Sequence, residues 1–377
     1  MVTKVVVFGL STEGYNIACK TALKGADVQI IDESTPSAIS ITSDIAKTYP
    51  TVQTLKDDEP LLSMTPIDVA ISKAQILFFV PILRKTGQDI KIEINSKFKA
   101  AVTNIKKGSS IVYCLGTGFG GNSENMALLE HVTGFKVAKN ISYYYYPLPT
   151  NNELPSFIGT NSDKPNENLI ELLSNEKKPQ VIAISSSEHF HAISVLKQFS
   201  VLTSILEICK FAKDKASKSD LTTSDLSEIY LDDIINDLFD LRSLSLSFEG
   251  ANTLMYIING SIKGVDNYIK RLIDEIRLVL KKNELKASRT KILLLWSLDH
   301  NEMKGDKIEI LKTLQTKLQD YINDVESVGD SIDFFQNEKT TIVVACSKSD
   351  FEYIHKNKKD NDIIIIKANP LCELSQK

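Results

Sequence analysis

The run Val5-Val6-Val7-Phe8-Gly9-Leu10-Ser11-Thr12-Glu13-Gly14, answered by Val28-Gln29-Ile30-Ile31-Asp32-Glu33, constrains this chain more than any other stretch of it. Two continuous apolar runs flanking a helical stretch are strands buried on both faces, which means a parallel sheet with a crossover helix. A tight turn after the first strand aims a helix N-terminus, with its unpaired N–H groups and positive dipole end, at an anion. Gly9 makes the turn, Gly14 permits close helix-to-sheet packing, and Asp32 has the spacing of an acid that binds an adenosine ribose. That pattern points to a dinucleotide. Asp32 is followed by Glu33, not by a base that would meet a 2′-phosphate, which selects NAD over NADP. Ser11 occupies the second glycine position. Its hydroxyl can donate to a phosphate, or the domain can have kept its turn and lost its ligand; the residues leave both open.

Further apolar runs follow at Ala74–Pro81, Ser109–Leu115, Ile141–Tyr146 and Val181–Ile184, with helical spacing between them at Asn95–Lys107 and Glu124–Thr133. Residues 1–185 therefore read as a Rossmann-like doubly wound parallel sheet. Ser185 and Glu188 have capping-box spacing and open a long helix toward Lys215. Residues 186–288 form a helical middle domain in which Ile269, Leu272, Ile273, Ile276, Val279 and Leu280 repeat at helical spacing. Strand-like runs at Lys291–Trp296, Thr341–Ala345 and Asp362–Ile366, with a helix at Lys307–Asn323, make residues 289–377 a smaller α/β domain. The fold class is α/β throughout.

Forty-four basic against forty-eight acidic residues leave a net charge of -4, which argues against nucleic acid and anionic membrane surfaces as partners. Cys19, Cys114, Cys209, Cys346 and Cys372 are scattered, odd in number and free of C-x-x-C pairs, as expected in a reducing cytoplasm. Runs such as Ile76–Leu83 and Lys291–Leu298 are too short to span a bilayer, and no residue set has metal-ligand spacing. The expectation is a cytoplasmic protein without a membrane segment or a metal.

With its parts in this order the chain resembles the nucleotide-sugar dehydrogenases, the family of UDP-glucose and GDP-mannose 6-dehydrogenases. The resemblance rests on the opening turn and Asp32, Phe79-Val80-Pro81 at a strand end, the glycine-containing turn Cys114–Gly121, and Tyr143–Pro147 where the family has a strand before P-E. It rests also on a long helix reaching Glu207-Ile208-Cys209, the late strand Lys291–Trp296 and the segment Ser347–Ile354. It implies NAD as cofactor, with Gly9, Ser11, Gly14, Asp32, Pro81 and Thr117 near it, a cleft for a nucleotide sugar, and a homodimer through the central helix.

The same resemblance exposes departures at the chemistry. The family holds an aldehyde on a cysteine thiolate between two hydride transfers. The matching segment here, Ser247-Phe248-Glu249-Gly250-Ala251-Asn252, puts Asn252 at the thiol's place, and an amide cannot form a thiohemiacetal. Leu148 falls where the glutamate of P-E stands, Trp296 where a glycine stands, and His300, Lys304 and Lys307 replace the basic pair of the third domain. Lys197 is the candidate for the lysine of the central helix. These substitutions remove the four-electron reaction and leave two readings: a two-electron oxidoreductase acting on an alcohol of a nucleotide sugar, or a catalytically inactive homologue serving as scaffold, sensor or partner subunit.

Several groups bear on that choice. Gly116-Thr117-Gly118-Phe119-Gly120-Gly121-Asn122 follows a strand and precedes a helix, so its N–H groups can form an anion nest at the nicotinamide end, with Thr117 and Asn122 as side-chain donors. His189 and His191 open the central helix as candidate acids or bases. Two residues apart on a helix, they point to different faces. Cys114 reads as a small core residue. Of the four consecutive tyrosines Tyr143–Tyr146, alternate rings face opposite sides of the sheet.

Overall fold

The structure is a computed structural model that describes residues 2–35, 37–58, 60, 62–85, 87, 89–150, 154–175, 177–215, 225–247, 253–329, 340–357 and 363–374. Along the first half run β1 (Lys4–Phe8), α1 (Thr12–Leu23), β2 (Asp27–Asp32), β3 (Ser37–Ile41), α2 (Ser43–Thr48), α3 (Val52–Asp58), β4 (Met64–Pro66), α4 (Ile67–Lys73) and β5 (Ile76–Phe79). There follow α5 (Asp89–Val102), β6 (Ser110–Tyr113), α6 (Gly121–Thr133), β7 (Ser142–Tyr145), β8 (Phe157–Thr160), α7 (Glu167–Leu173), β9 (Gln180–Ala183) and α8 (Ile184–Lys215). The second half adds α9 (Leu231–Ile235), α10 (Leu238–Ser245), α11 (Thr253–Lys282), β10 (Thr290–Leu295), α12 (Asp306–Gln319), β11 (Val325–Val328), β12 (Thr340–Ala345), α13 (Lys348–Asn357) and β13 (Ile363–Lys367).

Two compact units emerge. One comprises Met1–Val195, Arg242–Glu249 and Asp299–Gly305; the other comprises Leu196–Leu241, Gly250–Leu298 and Asp306–Lys377. The boundaries differ from those read at residues 185 and 288, and two short later segments belong to the first unit. Periodicity cannot show this, because membership depends on where a loop packs.

Unit 1 is built on a sheet ordered β4-β3-β2-β1-β5-β6-β7-β8-β9. Its centre, β2-β1-β5-β6-β7, is parallel, as the buried apolar runs require. The edges depart from a wholly parallel sheet: β3 pairs antiparallel with β2 and β4, and β8 antiparallel with β7. Residues 33–36 are too few for a crossover helix, so the chain must turn straight back. Phe79, Phe98 and Tyr113 pack ring on ring at the middle of the sheet, with centroids 5.0 to 5.4 Å apart.

Unit 2 carries a parallel sheet ordered β11-β10-β12-β13, with Leu293, Leu295, Val343 and Ile365 packed against Ile354 of α13. Leu231 N–H at the start of α9 donates to Ala368 O (2.7 Å), and Asp232 N–H to Cys346 O (3.0 Å). Helices α9 and α10 are separated by Asp237 at φ 62°. Helix α11 is held along its length: Thr203 lies where a Cβ on Gly264 would stand, and Arg271 donates to Leu206 O (3.1 Å) and Pro370 O (2.6 Å).

Helix α8 continues directly from β9, without the capping box that Ser185 and Glu188 suggest. Within Ile184–Phe211 an 18-residue window has a mean hydropathy of 1.5, so by length and composition this helix is long and apolar enough to cross a membrane. Glu188, His189, His191, Lys197 and Glu207 interrupt it, so it is not an unbroken apolar run. Along α8, Phe190, Ile193, Val201, Ile208 and Phe211 are 54 to 62% exposed.

Candidate functional site

Gly9 follows β1 at φ +116°, and a Cβ there would lie 2.1 Å from Val80 O at the end of β5. The turn thus needs glycine both for its backbone and for the approach of the neighbouring strand. A Cβ on Gly14 would lie 2.4 Å from Gly9 O, so α1 is seated hard against the turn. Pro81 is buried beside it. These three positions make the geometry expected of a dinucleotide turn.

Several donors of that turn are engaged from within. Ser11 is the N-cap of α1 and fully buried; its hydroxyl donates to Val80 O (3.0 Å) and accepts from Gly14 N–H (3.0 Å). It faces the sheet, not a ligand. Thr12 N–H donates to Asn301 O (2.9 Å), and the Thr12 hydroxyl donates to the Asp299 carboxylate. The Glu13 carboxylate accepts from Met303 N–H (2.8 Å). Tyr15 N–H closes the first turn on Ser11 O (2.8 Å).

Asp299–Gly305 is therefore laid across the start of α1 and the end of β5. Lys56 donates to the Asn301 side chain (2.7 Å), Leu83 N–H to Met303 O (2.8 Å), and the Arg84 guanidinium to Glu302 O (3.0 Å) and His300 O. A Cβ on Gly305 would fall 2.8 Å from Leu83 O, so the segment lies in direct contact with the strand end. Asn301, Met303 and Lys304 are buried, and His300 is exposed. Burial raises the Glu13 carboxyl above its ordinary value; its own N–H, that of Met303 and the charge of Lys304 oppose the shift, and Asp299 adds to it. Burial also pulls the Arg84 guanidinium down, against the carboxylates of Glu302, Glu13, Glu93 and Asp299.

On the adenosine side, Asp32 accepts from the N–H (2.9 Å) and hydroxyl (2.7 Å) of Ser34. Glu33 accepts from Ile82 N–H (3.1 Å) and pairs with Lys97 (2.9 Å), which donates to Ile82 O (2.6 Å). The loops after β2 and β5 are thereby bridged. The start of α1 is thus bonded to the protein itself at Thr12 and Gly14, while both Ser34 bonds fall on a single oxygen of Asp32.

The loop at Thr117–Asn122 is the anion nest its glycines predicted, and its anion is a side chain. Gly120 N–H (3.2 Å), Asn122 N–H (3.2 Å) and the Asn122 amide (2.8 Å) donate to the carboxylate of Glu188. This replaces the capping role read for Glu188, because the open N-terminus of α6 offers stronger donors than the first turn of a helix that runs on from β9. Thr117 accepts from the Asn122 amide (3.0 Å), and its N–H donates to the Tyr145 hydroxyl (3.1 Å). Tyr143 donates to Asn122 Oδ1 (2.7 Å). Tyr144 and Tyr146 bond on the other side, to Asn166 N–H (2.8 Å) and Pro155 O (3.3 Å). All four rings are buried, and Tyr143 and Tyr145 fix the loop.

His189 lies beside this loop and His191 beside Tyr145. The exposed His189 ring meets Phe119 (5.4 Å) and its Nδ1 meets Ser185 O, while the buried His191 ring stands edge-on to Tyr145 (6.2 Å). Lys197 is exposed on α8. Leu148 is buried, with its N–H on Cys114 O (2.9 Å). The Cys114 thiol is fully buried and burial raises it far above its ordinary value, so it stays protonated. Ser247 stands where a Cβ on Gly118 would lie, and Asn252 falls outside the described residues. In unit 2 the buried Trp296 donates to Asp232 (2.8 Å), which also pairs with Lys307 (2.9 Å). Among the described residues, no three His, Cys, Asp or Glu side chains are grouped to hold a metal.

Sequence reasoning missed Asp299, Asn301 and Met303, and gave Glu188 a different role. For Glu188 no local signal existed, since it lies 66 residues from Asn122. For 299–303 there was none, because a backbone carbonyl leaves no mark in the sequence.

The architecture defines the chain as having the fold of the nucleotide-sugar dehydrogenases. It is similar to UDP-D-ManNAc dehydrogenase from Pyrococcus horikoshii, at 14% identity and a TM-score of 0.67 over 98% of this chain and 96% of that one. UDP-glucose dehydrogenase from Pyrobaculum islandicum gives 12%, 0.62, and 98% and 94%. UDP-N-acetyl-mannosamine dehydrogenase from Staphylococcus aureus gives 12%, 0.58, and 100% and 97%. No family model and no curated protein sequence matches the chain.

Proposed function

We propose that this chain is a catalytically inactive homologue on the nucleotide-sugar dehydrogenase fold, working as a homodimeric scaffold or partner subunit. The observation that carries the reading is the apolar stripe of α8: Phe190, Ile193, Val201, Ile208 and Phe211 recur at three- and four-residue spacing or multiples of it, and all are exposed in the single chain. Such a stripe on one long helix is covered by another helix or by lipid. Lys197 and Glu207 on the same helix favour a second copy in water over a bilayer. Inactivity is supported by the buried Leu148 in place of an acid, the inert Cys114 and the engagement of Glu188 in the α6 nest.

The test joins sedimentation velocity to an activity assay. The wild-type chain is expected to sediment as a dimer, Ile208→Glu as a folded monomer, and neither to form NADH from NAD with UDP- or GDP-sugars. A monomeric wild type overturns the assembly reading, and turnover overturns the inactive one. A second reading, a two-electron NAD-dependent oxidation of a nucleotide-sugar alcohol in the cytoplasm, draws support from Gly9, Gly14 and Asp32, from His189 beside the 117–122 loop and from His191 beside Tyr145. Turnover that falls in His189→Ala would favour it.

A further inference from the structure

We propose that Asp299–Gly305 is a built-in substitute for the pyrophosphate of a cofactor, so that unit 1 keeps a dinucleotide turn closed by its own chain and takes up no NAD. The inference deepens the inactive reading and rests on it in one respect, that no hydride acceptor is required.

The case is geometric. A pyrophosphate at this turn would need the N–H groups at the start of α1 and a clear approach over Gly9. Here Thr12 N–H ends on Asn301 O, Gly14 N–H on Ser11 Oγ, and the Thr12 hydroxyl on the carboxylate of Asp299. An acceptor carbonyl and a carboxylate thus supply what phosphate oxygens would. The segment is also fastened from its other side, by Glu13 to Met303 N–H, by Lys56 to the Asn301 side chain, by Leu83 N–H to Met303 O and by Arg84 to two carbonyls. Gly305 marks how close it lies, since a Cβ there would press on Leu83 O. A ligand entering would have to displace all of these while the adenosine side stays bridged by Glu33 and Lys97.

The experiment uses the full-length protein with millimolar NADH or ADP-ribose, followed by thermal midpoint and by amide exchange of peptides covering 9–16 and 299–305. A ligand that binds only the native state must raise the midpoint. The expected result is no rise, with both peptides equally protected in all samples. A rise of several degrees with exchange speeded at 299–305 overturns the proposal. The double variant Asp299→Ala/Asn301→Ala removes the side-chain ties to Thr12 and Lys56 and leaves the backbone bonds. Exchange at Thr12 and Met303 is expected to accelerate at least tenfold while that at Gly120 does not change; equal rates at all three overturn the assignment of 299–305 as the cover. Should that variant fail to fold, the wild-type ligand series still decides. Ligand-driven release of 299–305 without turnover would sink this inference and leave the inactive homodimer standing.

Discussion

Replacing Glu188 by alanine removes the anion from the α6 nest. Its carboxylate accepts from Gly120 N–H, Asn122 N–H and the Asn122 amide, and its side chain is 8% exposed. A hydrogen bond to a charged group contributes about 1.5–3 kcal/mol, which bounds the gross loss near 4.5–9 kcal/mol for these contacts. Removing a buried carboxylate also removes its desolvation cost, and water can enter beside Gly120, so the net loss should be about 3 kcal/mol. At roughly 2–4 °C per kcal/mol for a unit of this size, the melting point of unit 1 falls by about 6–12 °C. Glu188→Gln keeps one acceptor oxygen but turns an NH2 toward a donor, and should lose about half as much. Far-UV circular dichroism melts give the shift, and amide exchange at Gly120 and Asn122 locates it. A loss under about 1 kcal/mol with both amides still protected would refute the view that Glu188 holds this loop.

The turn and the cover yield two more expectations. Gly9→Ala forces a Cβ to within 2.1 Å of Val80 O at a positive φ, and should cost about 3 kcal/mol or more in urea unfolding; a midpoint unchanged from wild type would mean that the β5 end yields freely. Burial holds the Glu13 carboxyl above its ordinary 4.5, so its contribution to stability is full below the unfolded value and is lost as pH rises through the folded one. Glu13→Gln is neutral throughout and still offers an oxygen to Met303 N–H. Its melting point should match wild type near pH 4 and gain on it steadily toward pH 7, whereas a difference that does not vary with pH would show that Glu13 is not desolvated.

Local order in this protein was legible because its causes are local. The alternation of buried runs with helical spacing, the need for glycine at positions 9 and 14, and the placing of the four tyrosines by strand parity all follow from a few adjacent residues. The antiparallel edges β3, β4 and β8 were not legible, since short strands of mixed polarity carry little periodic signal. The amino-acid sequence by itself determined that α1 would start from a turn shaped for an anion and that α6 would open on a nest. Only the tertiary structure decided which acceptors fill them. Met303 lies 290 residues from Glu13, and Glu188 lies 66 from Asn122. An N–H group takes whatever acceptor the finished fold brings within reach, and that choice depends on packing across the whole unit, not on the residues that form the turn.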